Sequence, residues 1–520
     1  MELNIKGRTA FLLSASLLFL AFPPFHFLIP SFVALIPVTA WIVERDNSKV
    51  GRIQSFWGGM VFGVLYWGLI LHWIPITLWE TSVWSVPAYV TLVLILALPK
   101  AIFAWILHFL VHEARISIPL ALALSWTGLD WLLGNLPGVF SFPWLELGTS
   151  LTGYPKIVGS AELIGARGIT FWIALINGLL LELIILLRYR FDSYRLAMKV
   201  IALVLFFATP VAWGLSRSES LTVAPAGEVA VIQPNVTGKT DMNNADITEA
   251  TFLALEKLKV DQMGSASALT VLPEATFWNP IQSNPMIQER LAETFSNWSS
   301  PILFGGIGVT EHSPGSIDYN SAFLLDSKGV LTDFRYDKHY LVPWFETMPL
   351  SIFQWRTKDR NFSEYGKGKD LVIGEFDDDM KFGVLICYES IFPKHSRLLR
   401  KEGADILVNI TNDSWLQSGW NGVPYRTLAF WQHPAHLIMR AIENRVGIVR
   451  SANTGFSFFV DPIGQTYGKL ESSQAMVDSR LVYTTPELTL YARLGDFVGL
   501  GSFLGLIFFT LNIRFRLQGA

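Results

Sequence analysis

The stretch WSVPAYVTLVLILALPKAIFAWILHFLV, residues 84–111, is a long apolar run with hardly any charge. A helix needs about 20 apolar residues to cross the hydrocarbon core of a bilayer. Residues 84–111 are therefore predicted to form a membrane-spanning helix, and this prediction sets the fold class of the chain around it.

Comparable apolar runs lie on both sides of this stretch. They predict further spans at residues 9–22, 30–43, 55–79, 117–135, 168–187, 196–215 and 491–513. The start of the chain resembles a signal peptide, because Lys6 and Arg8 precede an apolar run. No small-residue cleavage site follows and more spans do, so a retained first helix is predicted instead.

The composition of the 520 residues agrees with a membrane protein. Hydrophobic residues make up 51% and charged residues only 16%, whereas soluble domains carry about 25% charge. The net charge of −3 provides no basic field, so nucleic acid is not expected as a partner. Cys387 is the single cysteine, which excludes an internal disulfide and a cysteine-cluster metal site.

Basic residues predict the orientation, because Lys and Arg concentrate in cytoplasmic loops. With the N-terminus inside, seven spans place the polar region 216–490 outside, and the eighth returns the tail inside. Lys156 and Arg167 fall in an outside loop, against this trend. The basic residues of the predicted inside segments are Arg45, Lys49, Arg52, Arg188, Arg190, Arg195, Lys199, Arg514 and Arg516.

The polar region alternates short apolar strands with helical segments, which is typical of an α/β layered domain. Strands are predicted at 228–233, 269–272, 330–336 and 405–410, among others, and a long helix at 426–444. The expected organisation is a transmembrane part (1–215), a linker (216–227), a catalytic domain (228–490) and a C-terminal span with its tail (491–520).

Three reactive side chains follow predicted strands of this domain. Cys387 follows the apolar strand 382–386, Glu274 ends LTVLPE, and Lys338 follows the strand 330–336. Reactive groups of open α/β sheets collect beyond strand ends, and a base, an oxyanion partner and a thiol suit acyl transfer. Taken singly, each has a structural alternative: a small buried thiol, a capping or surface acid, and a solvated lysine. Glu346 is a second carboxylate able to orient Lys338.

The motifs around these residues resemble known ones. PE (273–274), YDK (336–338) and CYE (387–389) resemble the Glu–Lys–Cys triad motifs of the nitrilase superfamily, and a wider set resembles the apolipoprotein N-acyltransferase family. That set is YNSA (319–322), LVP (341–343), NDSW (412–415), RAIENR (440–445), ANTG (452–455), DWL (130–132), FPWL (142–145) and ING (176–178).

The resemblance implies a multi-span helical part and an αββα nitrilase-like domain on the periplasmic side of a bacterial inner membrane. It implies that Cys387 takes an acyl chain from a phospholipid as a thioester and passes it to the α-amine of a diacylglyceryl-cysteine on a lipoprotein. Glu274 is then the general base, Lys338 and Glu346 stabilise the tetrahedral intermediate, and Glu389 supports the site. No metal or cofactor is implied, and a monomer is expected.

Two positions depart from the family pattern Lys-x-His-Leu-Val-Pro-Phe-Gly-Glu. Tyr340 stands where the family has His, and Phe345 stands where it has Gly, which puts a close backbone approach at that point in question. No tryptophan lies between Asn235 and Trp278, where the family often has one. The aromatic residues Trp344, Phe345, Trp415 and Trp420 are candidate gates for acyl chains, with interfacial anchoring or core packing as the alternative.

Three functional hypotheses follow. The first is the acyltransferase. The second is a membrane-tethered amidase or nitrilase that hydrolyses a small C–N bond with the same triad, although a simple anchor needs only one span. The third is a transporter with an extracytoplasmic domain, which charged residues deep within the spans would support; the predicted spans are nearly free of charge away from their ends.

Overall fold

The computed structural model describes residues 6–78, 84–189, 191–236, 243–258, 267–296, 298, 300–310, 317–348, 364–377, 380–420 and 423–518. For residues 377, 418–420, 423, 424 and 512–518 only the backbone is described.

The N-terminal part is a bundle of helices connected mostly by short loops. Four of its helices are long and apolar enough to cross a membrane: Lys49–Leu71, Ser85–His112, Ala161–Tyr189 and Ser193–Ser220. The shorter apolar helical segments are Gly7–Ala21, Leu28–Val43, Ile118–Gly134 and, at the far end of the chain, Phe497–Leu511. The helices of this part are α1 Gly7–Ala21, α2 Leu28–Val33, α3 Ile36–Val43, α4 Lys49–Leu71, α5 Trp73–Leu78, α6 Ser85–His112, α7 Ile118–Gly134, α8 Ala161–Tyr189 and α9 Ser193–Ser220.

The eight predicted spans therefore correspond to eight apolar helical segments, with changed ends. The span expected at 55–79 is helix α4, which ends at Leu71, and the short helix α5 continues from Trp73. The span expected at 491–513 is divided, because Gly495 adopts a positive φ of 76° between two helices. Small residues let α4 and α6 approach closely: a Cβ on Gly59 would lie 2.5 Å from Ala104 Cβ.

Two charged residues lie within the bundle, although its helices are nearly free of charge away from their ends. Lys100 on α6 and Asp130 on α7 are buried, and their Nζ and Oδ1 atoms are 2.9 Å apart. The ammonium group of Lys100 also lies 3.6 Å from the ring centroid of Trp126. Each charge thus has a partner inside the bundle, which lowers the cost of burying it.

The remaining residues form a domain with two main β-sheets. The strands are β1 Ala224–Gln233, β2 Leu269–Val271, β3 Phe277–Pro280, β4 Ile302–Val309, β5 Asp318–Leu325, β6 Leu331–Asp337, β7 Ile373–Asp377, β8 Met380–Ile386, β9 Ile406–Thr411, β10 Gln417–Trp420, β11 Val423–Arg426, β12 Gly447–Ala452, β13 Phe458–Val460, β14 Thr466–Tyr467 and β15 Met476–Thr484. The first sheet has the strand order β15-β1-β2-β4-β5-β6, with β3 paired to β4, and the second has the order β14-β13-β12-β9-β8-β7.

Helices cover the outer faces of both sheets. The remaining helices are α10 Asn244–Lys257, α11 Pro285–Phe295, α12 Pro393–Lys401, α13 Ala429–Asn444, α14 Leu490–Leu494 and α15 Phe497–Gln518. Phe252 of α10 and Leu291 of α11 pack under the first sheet. Apolar residues of both sheets, such as Val231 and Val408, fill the space between them. The result is the expected αββα sandwich, in which the periodicity of two along each strand buries one face against the other sheet.

The linker expected at 216–227 is largely absent. Helix α9 continues to Ser220 and β1 begins at Ala224. Residues 224–227 pair with β15 as part of the sheet, because the backbone donors and acceptors beside a neighbouring strand are satisfied by joining it.

The catalytic domain and the helical bundle are in direct contact. Arg445, at the end of α13, donates from Nε to Glu162 Oε2 of α8 at 2.8 Å and from Nη2 to the Gly159 carbonyl at 2.9 Å. Glu443 accepts a hydrogen bond from the backbone N–H of Ala166 at 2.7 Å. These charge-assisted contacts fix the second sheet's helical layer on the bundle.

Candidate active site

Lys338 follows the carboxyl end of β6, and its side chain lies between the carboxylates of Glu274 and Glu346. Its Nζ lies 3.0 Å from Glu274 Oε1 and 2.8 Å from Glu346 Oε1. The lysine side chain is 1% exposed. Burial by itself lowers the pKa of Lys338, but the charges of Glu274 and Glu346 outweigh burial and raise the pKa well above its usual value. Lys338 is thus a fixed cation in a dry site, as oxyanion stabilisation requires.

Asn320 joins the two carboxylates and was missed as a site residue. Its Nδ2 donates to Oε1 of Glu274 and to Oε1 of Glu346, both at 2.8 Å. The backbone N–H of Asn412 donates to Glu274 Oε2 at 2.9 Å, and that of Val342 donates to Glu346 Oε2 at 2.7 Å. The motif YNSA (319–322) was the available signal, but no local pattern shows that its amide reaches residue 274.

Cys387 lies at the point where β8 ends and a short 3₁₀ helix begins. Its φ is 49°, a left-handed conformation that costs a non-glycine residue on the order of 1 kcal/mol and clusters at functional sites. Burial raises the pKa of the Cys387 thiol, the charge of Glu274 raises it further, and Lys338 lowers it; the pKa ends well above its usual value. The resting group is therefore a neutral thiol, which needs a base to become a nucleophile.

Glu389 supports this turn rather than facing a reactant. Its Oε2 accepts from the backbone N–H of Ile386 at 2.7 Å and from the Tyr336 hydroxyl at 2.8 Å. Its Oε1 accepts from the backbone N–H of His339 at 2.6 Å and from that of Tyr340 at 3.3 Å. The carboxylate therefore ties the loop carrying Lys338 to the turn carrying Cys387, and we expect it to keep their spacing constant.

Glu389 is also part of a group of side chains that could be considered as metal ligands. Among the described residues, ligand atoms of His339, Glu389 and His395 lie within 4.8 Å of one another. Each oxygen of Glu389 already accepts two hydrogen bonds, so a cation would compete with all four donors. This set is therefore poorly suited to hold a metal.

The family departures have local explanations. The left-handed residue of the loop is Trp344, with φ 71°, and not its neighbour Phe345. The glycine of the family pattern is thus not needed at position 345 for a left-handed backbone. The ring of Tyr340 stacks on Phe392 with a centroid distance of 3.9 Å, which fills the place of the family's histidine with apolar packing.

The gate candidates fall into different positions. Phe345 and Trp415 are neighbours with ring centroids 5.8 Å apart, and Trp415 lies 6.1 Å from Trp73 of the helical bundle. Trp344 is 38% exposed. The side chain of Trp420 lies outside the described residues. Phe345 and Trp415 therefore begin an aromatic row that leads from the catalytic domain toward the bundle, whereas Trp344 faces solvent or lipid.

Comparisons with known proteins agree with this architecture. The model of the apolipoprotein N-acyltransferase N-terminal domain matches residues 14–179, and the carbon-nitrogen hydrolase model matches residues 228–479. An apolipoprotein N-acyltransferase of Geobacter metallireducens is 29% identical over 494 residues, covering 93% of this chain and 91% of that protein. A Chlorobaculum tepidum protein of the same name is 26% identical over 519 residues, covering 94% and 92%.

A solved structure of Saccharomyces cerevisiae Nit3, a member of branch 10 of the nitrilase superfamily, covers 53% of this chain and 97% of its own, at 18% identity and a TM-score of 0.36. That likeness is too low to add to the assignment. The N-terminal match favours the acyltransferase hypothesis over the amidase hypothesis, because it covers the helical bundle rather than the catalytic domain. With both parts matched in order and relatives aligned over nearly the whole length, this chain belongs to the apolipoprotein N-acyltransferase family, a membrane-embedded branch of the nitrilase superfamily.

Proposed function

We propose that this protein transfers a fatty acyl chain from a phospholipid, through a thioester on Cys387, to the N-terminal α-amine of a diacylglyceryl-cysteine on an apolipoprotein. The observation that carries the proposal is the buried Glu274–Lys338–Glu346 cluster next to the chain's single thiol, in a domain packed on apolar helices. Both substrates have acyl chains, and extracting them from a bilayer costs about 0.8 kcal/mol per CH₂. A domain fixed to the membrane leaves those chains in hydrocarbon.

In the first step Glu274 takes the proton of the Cys387 thiol, and the sulfur attacks the ester carbonyl carbon. Among the described residues, Oε2 of Glu274 accepts one hydrogen bond, from Asn412, so it retains a lone pair for this proton. The C–S bond forms, and the oxyanion is stabilised by the ammonium group of Lys338. Collapse breaks the ester C–O bond, and the lysophospholipid leaves with the proton held by Glu274.

In the second step the α-amine of the lipoprotein attacks the thioester carbonyl. Glu274 accepts the amine proton, and Lys338 again faces the oxyanion. The C–N bond forms, the C–S bond breaks, and the departing thiolate of Cys387 recovers the proton. Glu346 shares Lys338 and Asn320 with Glu274, so in this mechanism it holds the lysine in place without taking a proton.

The proposed setting is a bacterial inner membrane, with the catalytic domain on the periplasmic side and a monomer as the working unit. The apolar helices of the bundle support a membrane location, and the distribution of Lys and Arg supports the side. The membrane keeps the catalytic domain beside both lipid-bearing substrates.

The nucleophile is tested by mixing purified protein with a phospholipid labelled in its acyl chain. The parent protein is expected to acquire a hydroxylamine-sensitive label at a stoichiometry approaching one, because thioesters are cleaved by hydroxylamine. The Cys387→Ser variant is expected to acquire none while keeping the parent's thermal unfolding temperature. Equal labelling of the Ser variant would remove the thioester step, and a parent that never labels would remove the phospholipid donor.

A further inference from the structure

Helix α13 contacts the nucleophile and the membrane bundle through two adjacent residues. His433 lies 3.0 Å from the Cys387 carbonyl oxygen through its Nε2, and Gln432 binds two tryptophans of the bundle. Neither residue belongs to the Glu–Lys–Cys cluster. Their positions indicate a role in placing the thiol.

The contact to Cys387 acts on the residue with the strained backbone. A carbonyl oxygen only accepts, so Nε2 of His433 carries the proton and donates it. Ser390 Oγ lies 3.1 Å from the same nitrogen. Together with the Ile386 N–H bond to Glu389, this donor fixes the backbone on both sides of Cys387, and a left-handed residue persists only where its surroundings over-determine it.

His433 is itself held on its other side. Its Nδ1 lies 3.4 Å from Asp413 Oδ1 and 3.4 Å from Arg450 Nη2. Arg450 donates to Asp413 at 2.6 Å. Burial raises the pKa of Asp413, but Arg450 outweighs burial and lowers the pKa well below its usual value. The imidazole therefore faces a permanently charged, buried pair that restricts its rotation.

The carboxamide of Gln432 is hydrogen-bonded to the helical bundle. Its Oε1 accepts from the indole N–H groups of Trp73 and Trp144, both at 3.1 Å. Its Nε2 donates to the Ile70 carbonyl at 3.2 Å. The residue is 1% exposed, and hydrogen bonds of a buried amide are costly to lose.

The bundle also contacts the next residue directly. The ring of Trp144 stacks on His433, with an interplanar angle of 12° and a centroid distance of 6.3 Å. The contacts thus run without a gap from Trp73 and Trp144, through Gln432 and His433, to the carbonyl of Cys387.

We infer that Gln432 and His433 are positioning residues through which the membrane bundle sets the placement of the Cys387 thiol. The inference rests on the proposed function, since it gives the bundle a part in catalysis besides holding acyl chains. Its physical basis is that a misplacement of about 1 Å at a reacting atom lowers a rate by up to about 100-fold.

The test uses the full-length protein and compares Gln432→Met with Gln233→Met. Gln233 is also fully buried and donates to the carbonyls of Glu471 and Gln474 and accepts from Ser457, none of which belongs to the bundle. Both variants are expected to lower the unfolding temperature. Of these two variants, only Gln432→Met is expected to lower kcat per reactive thiol, by about 10- to 100-fold, at an unchanged KM for phospholipid.

Two variants test His433 in the same way. His433→Leu is expected to lower kcat by a similar factor, and His433→Gln, which retains a hydrogen-bond donor, is expected to have a kcat close to that of the parent.

Alkylation of Cys387 by iodoacetamide counts the reactive thiols and separates this inference from the proposed function, because it needs no acyl donor. The pH midpoint of alkylation is expected to move in Gln432→Met and to stay at the parent value in Gln233→Met. If the parent forms no acyl adduct, the proposed function is wrong. The inference is then tested only by comparing the pH midpoints of alkylation in the parent, Gln432→Met and Gln233→Met. Equal rate constants and equal profiles in the parent and Gln432→Met would overturn the inference while the acyl adduct of the parent still stands.

Discussion

At the scale of single residues, the site depends on one cation shared by two anions. Lys338 contacts Glu274 and Glu346 through Oε1 of each, and Asn320 contacts the same two oxygens. The charge of Glu274 raises the pKa of the Cys387 thiol, and the charge of Lys338 lowers it. The two charges therefore have separable effects on the acidity of the sulfur.

This separation gives a prediction about pH. A thiol is alkylated as the thiolate, which forms above its pKa. Since the charge of Glu274 raises the pKa of Cys387 and Lys338 lowers it, Glu274→Gln is expected to lower the pH midpoint of iodoacetamide labelling. Lys338→Met is expected to raise that midpoint. Cys387 is the single cysteine, so the label reports one site.

The same Glu274→Gln variant is expected to lose acylation by about 100-fold or more, because it lacks the proposed general base. Its thiol would thus be more acidic and yet less active toward the ester. Lys401→Met, which removes an exposed lysine of α12, is the charge control and is expected to leave both measurements unchanged. Midpoints that move in the same direction for Glu274→Gln and Lys338→Met would contradict this electrostatic description.

At the scale of elements, the site depends on how closely β4 passes the end of β2. Gly305 on β4 donates its backbone N–H to the Pro273 carbonyl at 3.1 Å. A Cβ on Gly305 would lie 2.6 Å from Glu274 Cα and 2.7 Å from Ala275 N. Both are backbone atoms, so no side-chain rotation relieves the contact. The glycine thus permits the strand spacing that places Glu274.

Gly305→Ala is therefore expected to destabilise the fold by about 1–3 kcal/mol, the usual cost of overpacking. It is also expected to slow acylation, because the backbone of Glu274 must shift. Thermal unfolding in detergent and the labelled-phospholipid assay measure the two effects. The control is Gly501→Ala on α15, where a Cβ meets nothing within 4 Å and alanine favours the helix. An unfolding temperature of Gly305→Ala equal to the parent's would refute the close-approach explanation.

At the scale of the whole molecule, the apolar helices and the catalytic domain form one connected core. Buried residues of the bundle, such as Trp144, and of the catalytic domain, such as Leu437 of α13, belong to the same apolar cluster. The second sheet's helical layer therefore has two apolar sides, one for its sheet and one for the bundle.

The helix count predicts the topology. Eight crossings place both ends of the chain on one side of the membrane, and seven crossings, up to Ser220 at the end of α9, place the catalytic domain on the other. A reporter fused after Ala520 is expected to be cytoplasmic, and one fused after Ser220 to be periplasmic. Fusions that share one location would mean that α15 does not cross the membrane, and a cytoplasmic Ser220 fusion would mean an even number of crossings before it. Either result would contradict this arrangement.

The sequence by itself determined the class of the protein and its candidate reactive residues. Apolar runs locate the membrane helices because spanning length and hydropathy are local properties. Glu274, Lys338 and Cys387 were singled out because each follows a predicted strand, where the reactive groups of α/β sheets collect, and because the motifs around them resemble those of the family. The αββα layers followed from the alternation of strands and helices and from the family resemblance.

Only the tertiary structure decided which distant groups meet. Asn320 reaches Glu274 across 46 residues, and Trp73 reaches Gln432 across 359. Lys100 and Asp130 form a pair between helices α6 and α7, and the sequence does not show that these two charges meet. Local periodicity indicates which face of a helix or strand is buried. It does not indicate which element that face packs against, because this depends on the packing of all elements together.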